Sequence, residues 1–247
     1  MCNQIKKLLA ATALFMVAHV ASATTLSLDY SQYVSPNTAC PTSCDIGHSI
    51  NVGGLTASAY YYDNTSQTWK NADLWVRNEN PTDHGFGVCS PGESCGSQGQ
   101  PGSGDDNEIS QGTHQEVIVL TRPAGYSWSD LVVSSLDSGG TGGAEQGTLF
   151  WSDTDFTSLN STQANAFLTS TLTSNSSDEA AFSYGTGGNA ASQVNGEGSI
   201  MNLASTSSFD KNANTLVFTA GAGSQIASAL LGGGGSQKTF SWNKWGQ

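Results

Sequence analysis

Residues 116–136 of the chain read EVIVLTRPAGYSWSDLVVSSL. Two runs rich in Val, Ile and Leu, at 116–121 and 131–136, flank a polar connection that contains Pro and Gly. Short runs of β-branched residues bounded by such turn residues are typical of β-strands. The stretch therefore predicts two strands joined by a loop.

Eight further strand-like runs recur along the chain. Clusters of Gly, Asn, Asp and Ser separate them, at intervals that suit an antiparallel sandwich. We therefore predict an all-β fold, a two-sheet antiparallel β-sandwich of jelly-roll type with one or two short helices. The additional runs lie at 24–30, 55–62, 72–77, 148–151, 180–184, 199–203, 215–219 and 238–242.

Two segments have a helical pattern. One is Ser161–Thr173, and residues 225–231 are the second candidate. In the first, four apolar side chains recur on one helical face: Ala164, Phe167, Leu168 and Leu172. A surface helix packed on the edge of a sheet would bury that face.

The first 23 residues have the organisation of a secretory signal peptide. Two lysines at positions 6 and 7 precede an apolar run at 8–20, and Ala-Ser-Ala follows at 21–23. That order of charged, apolar and small residues directs export and cleavage. The apolar run is shorter than the roughly 20 residues of a membrane span. We therefore expect residues 24–247 to form a single secreted domain without a membrane span.

Four cysteines follow this segment: Cys40, Cys44, Cys89 and Cys95. An even number of cysteines in an exported chain favours disulfides. Of the three possible connectivities, the short sequence separations favour pairing the first with the second and the third with the fourth. A zinc site is the alternative, although the spacings differ from the usual pairs separated by two residues.

Composition argues against several classes of partner. The 247 residues include 20 acidic and 8 basic side chains, and the formal net charge is −12. An acidic chain with few lysines neutralises phosphates poorly, so we expect neither nucleic acid nor an anionic membrane surface as a partner.

Five central segments form a recognisable series, and two more follow near the end of the chain. The central ones read GFGVC at 85–89, GDDNEIS at 104–110, EVIVL at 116–120, LVVSSLD at 131–137 and EQGTL at 145–149. The later ones are NTLVFT at 214–219 and TFSW at 239–242. Together they resemble the secreted, exosortase-sorted proteins of the PEP-CTERM class in Gram-negative bacteria.

The resemblance implies a role at the cell surface or in an extracellular (biofilm) matrix rather than catalysis. Members of that class usually end in Val-Pro-Glu-Pro, an apolar helix and an Arg-rich tail, whereas this chain ends in NKWGQ at 243–247. The resemblance therefore implies a released extracellular protein, or one sorted by another route. Its expected partners are an extracellular polysaccharide or a surface protein.

Asp105, Asp106 and Glu108 form the leading candidate for a metal site. Adjacent carboxylates on a glycine-rich loop suit Ca²⁺, which takes roughly six to eight oxygen ligands. The alternative is a solvated turn whose side chains bond their own backbone. Glu116 is either a further ligand or an edge charge that prevents pairing with other chains. A calcium-stabilised carbohydrate-binding module is thus one alternative function, with calcium as its cofactor.

Tyr61, Trp69 and Trp128 are candidates for stacking on sugar rings. The consecutive tyrosines at 60–62 point to alternate faces of a strand, so at least one points outward. An outward Tyr or Trp suits a ligand contact. The alternative is that these side chains fill the core of a sandwich poor in Leu and Ile.

A secreted hydrolase is the remaining alternative. The segment GYSWS at 125–129 lacks the second glycine of G-x-S-x-G. The histidines at 48, 84 and 114 are widely separated, and no pair of carboxylates can be selected for glycoside cleavage. We therefore assign no catalytic residues and expect a protein that is not an enzyme.

Overall fold

The structure, a computed structural model, describes residues 26–29, 32–33, 44–78, 84–96, 109–110, 114–128, 130–134, 146–173, 179–183, 192–193, 199–202, 209–220 and 241–246. These residues form strands β1 to β15, helix α1 and a 3-10 turn at Phe156–Ser158. In chain order the strands are Leu28–Asp29, Cys44–Asp45, Ser49–Val52, Leu55–Asp63, Thr68–Asn71, Asp73–Asn78, His84–Cys89, Glu116–Thr121, Asp130–Ser134, Gln146–Ser152, Glu179–Ser183, Ser192–Gln193, Ser199–Asn202, Thr215–Ala220 and Ser241–Gly246. Helix α1 is Ser161–Thr173.

The strands form two antiparallel sheets, which confirms the predicted all-β sandwich. The eight-stranded sheet has the order β12-β13-β9-β15-β7-β6-β2, with β1 paired to β15. The seven-stranded sheet has the order β11-β10-β14-β8-β4-β3, with β5 paired to β4. The strand predicted at 116–121 is β8, and it lies between β4 and β14.

The main core lies between the two sheets. Leu74 and Phe86 enter it from the eight-stranded sheet, and Ile118 and Phe218 enter it from the seven-stranded sheet. Each of these side chains is at most 1% exposed. Removing such apolar surface from water, worth roughly 25 cal/mol per Å², is the main force that holds the sheets together.

A second apolar cluster lies on the outer face of the seven-stranded sheet. Val117 and Val119 of β8 and Val217 of β14 pack there against Leu168 and Leu172 of α1. Strand β8 is thus buried on both faces, which explains its consecutive apolar residues. The predicted helix and its apolar face are confirmed. The helix contacts the edge strand β5, where the Trp69 amide donates to Asn165 Oδ1, as predicted, and it also extends over the outer face of the sheet.

Two predicted segments lie outside the described residues. They are the signal peptide at 1–23 and the second helix at 225–231. Within the described ranges, no helix combines the length and the apolar character needed to cross a membrane.

The predicted bond between Cys89 and Cys95 is confirmed. Their Cα atoms are 6.0 Å apart, and the bond closes a short loop directly after β7. Cys44 is also disulfide-bonded, while Cys40 lies outside the described residues.

Candidate functional site

The chain crosses between the two sheets twice at one corner of the sandwich. It passes from β2 to β3 in one direction and returns from β5 to β6. Backbone hydrogen bonds join the two crossings. The Ile46 amide donates to the Leu74 carbonyl at 3.0 Å, and the Leu74 amide donates to the Gly47 carbonyl at 2.9 Å.

Strands β3 and β5 lie end to end along the same edge of β4. Strand β3 pairs with the first half of β4 and β5 with the second half. At the break between them, the Ala59 amide donates to the His48 carbonyl at 3.0 Å, and the Ala72 amide donates to the Ala59 carbonyl at 3.1 Å. His48 Nδ1 donates to the Ala72 carbonyl at 3.1 Å, because a carbonyl oxygen only accepts.

A cavity of about 340 Å³ lies beside this break, on the outer face of the seven-stranded sheet. Residues of β4, β5 and β8 line it from the sheet, and the 3-10 turn and the first turns of α1 line the opposite side. The volume is near the lower end of the roughly 300–1,000 Å³ that is usual for small-molecule sites. It is therefore the candidate binding site of the described chain.

The alternation of side chains along β4 decides which tyrosine reaches the cavity. Successive strand residues point to opposite faces. Ala59 and Tyr61 face the core between the sheets, whereas Ser58 and Tyr60 face the cavity. Tyr61, one of the predicted ligand contacts, is only 9% exposed, and its ring lies 4.9 Å from that of His114. Tyr61 therefore belongs to the core, and Tyr60 is the tyrosine at the cavity.

Tyr60 is the centre of an aromatic group beside the cavity. Its ring centroid lies 4.8 Å from His48 and 5.5 Å from Phe156, in both cases edge to face. The Phe156 ring in turn lies 5.4 Å from Phe167 of α1. Burial raises the pKa of the Tyr60 hydroxyl, and a hydrogen bond with Ser58 opposes that effect. The hydroxyl therefore stays protonated at neutral pH and can both donate and accept.

Trp69 is the predicted ligand contact that lines the cavity. Its backbone amide donates to Asn165 Oδ1 at 2.7 Å, which ties β5 to α1. The side chain is 7% exposed, and its indole N–H has no acceptor among the described protein atoms. A buried donor without a partner costs about 1–3 kcal/mol.

The other predicted site residues lie elsewhere. Trp128 is 3% exposed in the core between the sheets, and its indole N–H donates to the Ala213 carbonyl at 2.7 Å. Asp105, Asp106 and Glu108 lie outside the described residues, so the calcium site stays a prediction. In the part of the chain that the structure describes, no group of three or more His, Cys, Asp or Glu side chains is arranged to hold a metal ion.

Glu116 lies in a separate buried cluster at the start of β8. Its side chain is fully buried, and Ser110 N donates to Oε2 at 2.9 Å while Ser90 Oγ donates to Oε1. Burial, reinforced by the adjacent Glu93 carboxyl, raises the pKa of Glu116 well above its ordinary value. The prediction that Glu116 could be a charge on an edge strand was wrong, because β8 is a central strand with partners on both sides.

Sequence patterns did not single out most residues of the cavity. His48, Phe156 and Asn165 come from three separate segments, and only the fold brings them together. No protein-family model, curated protein or solved structure matches the chain. The function of the cavity must therefore be inferred from its own chemistry.

Proposed function

We propose that the protein is a secreted, non-enzymatic protein of the cell surface or extracellular matrix, and that it binds a neutral saccharide in the cavity beneath α1. The signal-like segment at 1–23 and the resemblance to exosortase-sorted proteins support export and a surface role. The residues that line the cavity support a neutral saccharide as its ligand.

The cavity suits a neutral ligand. Of the described residues that line it, none is Asp, Glu, Lys or Arg, although the whole chain has 20 acidic and 8 basic side chains. A charged ligand would lose its water there without gaining an opposite charge. Burying an unpaired charge costs several kcal/mol or more, so charged ligands are disfavoured.

The combination of aromatic rings with uncharged polar groups carries the proposal. Tyr60, Trp69 and Phe156 supply apolar ring surface. A sugar ring has the complementary make-up, because its C–H faces are apolar and its rim carries hydroxyl groups that donate and accept. The polar side chains in the lining are the His48 imidazole, the Tyr60 hydroxyl, and the hydroxyls and amides of Ser49, Thr56, Ser58, Thr121, Thr157, Ser161, Asn71 and Asn165.

The same lining favours binding without cleavage. Glycoside hydrolysis ordinarily uses two carboxyl groups about 5–9.5 Å apart. None of the described lining residues carries a carboxyl group. A hydrolase is therefore the less supported alternative, and a binding protein is the function that these residues favour.

A tryptophan on the inner side of α1 should block the cavity. Ala164 lines it, whereas Ala166 is exposed on the same helix and is not among the lining residues. We expect Ala164→Trp to lower the affinity for oligosaccharides more than tenfold, because the new side chain fills the space of the ligand. Ala166→Trp is the matched control and should bind like the wild type.

Isothermal titration calorimetry measures this with tetrasaccharides of glucose, galactose, mannose and N-acetylglucosamine, and with an alginate tetramer as the anionic comparison. Failure of every neutral saccharide to bind the wild type, or equal affinities of the two variants, would contradict the proposal. Repeating the titration and the thermal melt in EDTA tests the predicted calcium site separately. A lower melting temperature in EDTA is the result that the calcium prediction requires.

A further inference from the structure

We propose that Asn165 and His48 determine the specificity of the cavity. Asn165 Nδ2 donates a hydrogen bond to one hydroxyl oxygen of the saccharide, and His48 Nε2 accepts a hydrogen bond from another hydroxyl. The inference rests on the proposed saccharide binding and adds the residues that orient the ligand. A ligand must then present an acceptor to α1 and a donor to the corner where the chain changes sheets.

The side-chain amide of Asn165 has a fixed orientation. Asn165 belongs to α1 and lines the cavity. Its side-chain oxygen accepts a hydrogen bond from the Trp69 backbone amide at 2.7 Å. Because a backbone N–H only donates, the atom that faces β5 is the oxygen. The NH₂ group of Asn165 is therefore the part of the side chain that is left for a ligand.

Reciprocal hydrogen bonds hold the first turn of α1 in place. Gln163 N donates to Asn160 Oδ1, and Asn160 N donates to Gln163 Oε1, both at 3.0 Å. Such a pair satisfies backbone donors at the start of a helix and fixes its geometry. Asn165 follows directly on this capped turn, so little further ordering is needed when a ligand binds.

The tautomer of His48 is fixed in a similar way. Its Nδ1 donates to the Ala72 carbonyl at 3.1 Å, beside the break between β3 and β5. In a neutral imidazole one nitrogen donates and the other accepts, so Nε2 is an acceptor. The ring packs edge to face with Tyr60, with centroids 4.8 Å apart. His48 therefore contributes an oriented acceptor to the lining of the cavity.

Both nitrogens are accessible. Asn165 Nδ2 and His48 Nε2 make no hydrogen bond with the described residues. Neither is among the buried polar atoms that lack a partner, whereas Trp69 Nε1 is. Water can therefore hydrate them in the free protein, and a ligand hydroxyl can take the place of that water.

A fixed donor and a fixed acceptor favour hydroxyl-bearing ligands over other neutral molecules. A sugar hydroxyl both donates and accepts, so one saccharide can satisfy Asn165 and His48 together. An ether or an ester offers only acceptors and would leave His48 Nε2 without a donor after its water is displaced. Leaving such a group unpaired costs about 1–3 kcal/mol.

The first experiment compares Asn165→Asp with Asn160→Asp. Aspartate at 165 keeps an oxygen for the Trp69 amide, but its carboxylate cannot donate to a ligand. Asn160→Asp adds the same charge to the start of α1, keeps the oxygen that caps it, and changes a residue that is not among those that line the cavity. Isothermal titration calorimetry measures both with the tetrasaccharides of glucose, galactose, mannose and N-acetylglucosamine. We expect Asn165→Asp to bind at least about tenfold more weakly, and Asn160→Asp to bind like the wild type.

The second experiment uses His48→Asn. The asparagine NH₂ can replace Nδ1 as the donor to the Ala72 carbonyl, and the variant has no counterpart of Nε2. We expect its affinity for the same tetrasaccharide to fall about tenfold. Titrations at about pH 8 lie above the range in which histidine ordinarily takes up a proton.

Derivatives of the tetrasaccharide that binds best, each lacking one hydroxyl, distinguish a direct contact from a structural role. For the wild type, we expect removal of either of two hydroxyls to weaken binding about tenfold. One of these losses should vanish in Asn165→Asp and the other in His48→Asn, because the contact is already missing there. The wild-type series involves no substitution, so it tests the inference even if a variant does not fold.

The outcomes separate this inference from the proposed function. Failure of all four tetrasaccharides to bind the wild type would remove the proposed function itself. If they bind, three results would each overturn the inference while leaving saccharide binding intact. These are equal affinities of Asn165→Asp and Asn160→Asp, a wild-type series in which no single hydroxyl matters, and hydroxyl losses that are the same in the variants as in the wild type.

Discussion

Replacing Phe218 with alanine should lower the free energy of unfolding by about 3–5 kcal/mol. Phe218 is in the middle of β14, is 1% exposed, and belongs to the core between the two sheets. Its neighbours in the sheet are Leu149 of β10 and Ile118 of β8. Loss of the ring leaves a space that central strands paired on both sides cannot close.

Phe167→Ala is the control for that prediction. Phe167 has the same side chain but is only partly buried, at the margin of the cluster between α1 and the sheet. We expect it to cost about 1 kcal/mol, since the lost burial is smaller. Urea unfolding with the disulfides intact measures both values. A loss for Phe218→Ala no larger than that for Phe167→Ala would contradict a core between two stacked sheets.

Glu116→Gln should abolish part of the pH dependence of stability. The buried Glu116 carboxyl has a pKa raised well above 4.5, first because of burial and then because of the nearby Glu93 carboxyl. In the unfolded chain the same group ionises near its ordinary value. Above that pH the folded state therefore holds one more proton than the unfolded state.

The direction of the effect follows from that extra proton. When the folded state binds more protons, the free energy of unfolding falls as pH rises, by up to about 1.4 kcal/mol per pH unit for one group. The fall begins near pH 4.5, the ordinary value for glutamate, and ends once pH exceeds the raised pKa of the folded state. Glutamine does not ionise in either state, so the variant lacks this decline and is the more stable chain at neutral pH.

Urea unfolding at several pH values between about 4 and 8 measures this slope. Glu93→Gln is the matched control, because it removes the neighbouring carboxylate and leaves Glu116 buried. Because burial is the larger cause of the raised Glu116 pKa, Glu93→Gln should keep most of the fall in the free energy of unfolding with rising pH. If plots of the free energy of unfolding against pH were parallel for the wild type and Glu116→Gln, the Glu116 carboxyl would not have the raised pKa that its burial requires.

The strand predicted at 116–121 is buried along its whole length. The run EVIVLT at 116–121 forms β8 with the predicted bounds. A short run with apolar residues on both faces is typical of a strand that is buried on both faces. The short strands β3 and β5 were not predicted, although Gly53 and Gly54 mark a two-residue hairpin between β3 and β4. Both glycines have positive φ, at 62° and 93°, as such a turn requires.

The cavity could be predicted only in part. The run of three tyrosines indicated that one side chain points outward, but three identical residues on a strand with both faces covered do not reveal which one. Tyr60 and Tyr61 could be told apart only once the pairing of β4 with β8 was known. Phe156 and Asn165 reach the cavity through tertiary packing of α1, which no local pattern encodes.

The indole N–H signals of the wild-type chain offer the most direct test of saccharide binding beneath α1. The chain has 6 Trp, and a ¹⁵N–¹H correlation spectrum gives each indole its own signal. During titration with the neutral saccharide that binds best, we expect the Trp69 signal to shift until it saturates, because this side chain lines the cavity, while the Trp75 signal stays in place. A Trp69 signal that does not shift when the saccharide is bound would contradict the assignment of the cavity as the sugar site.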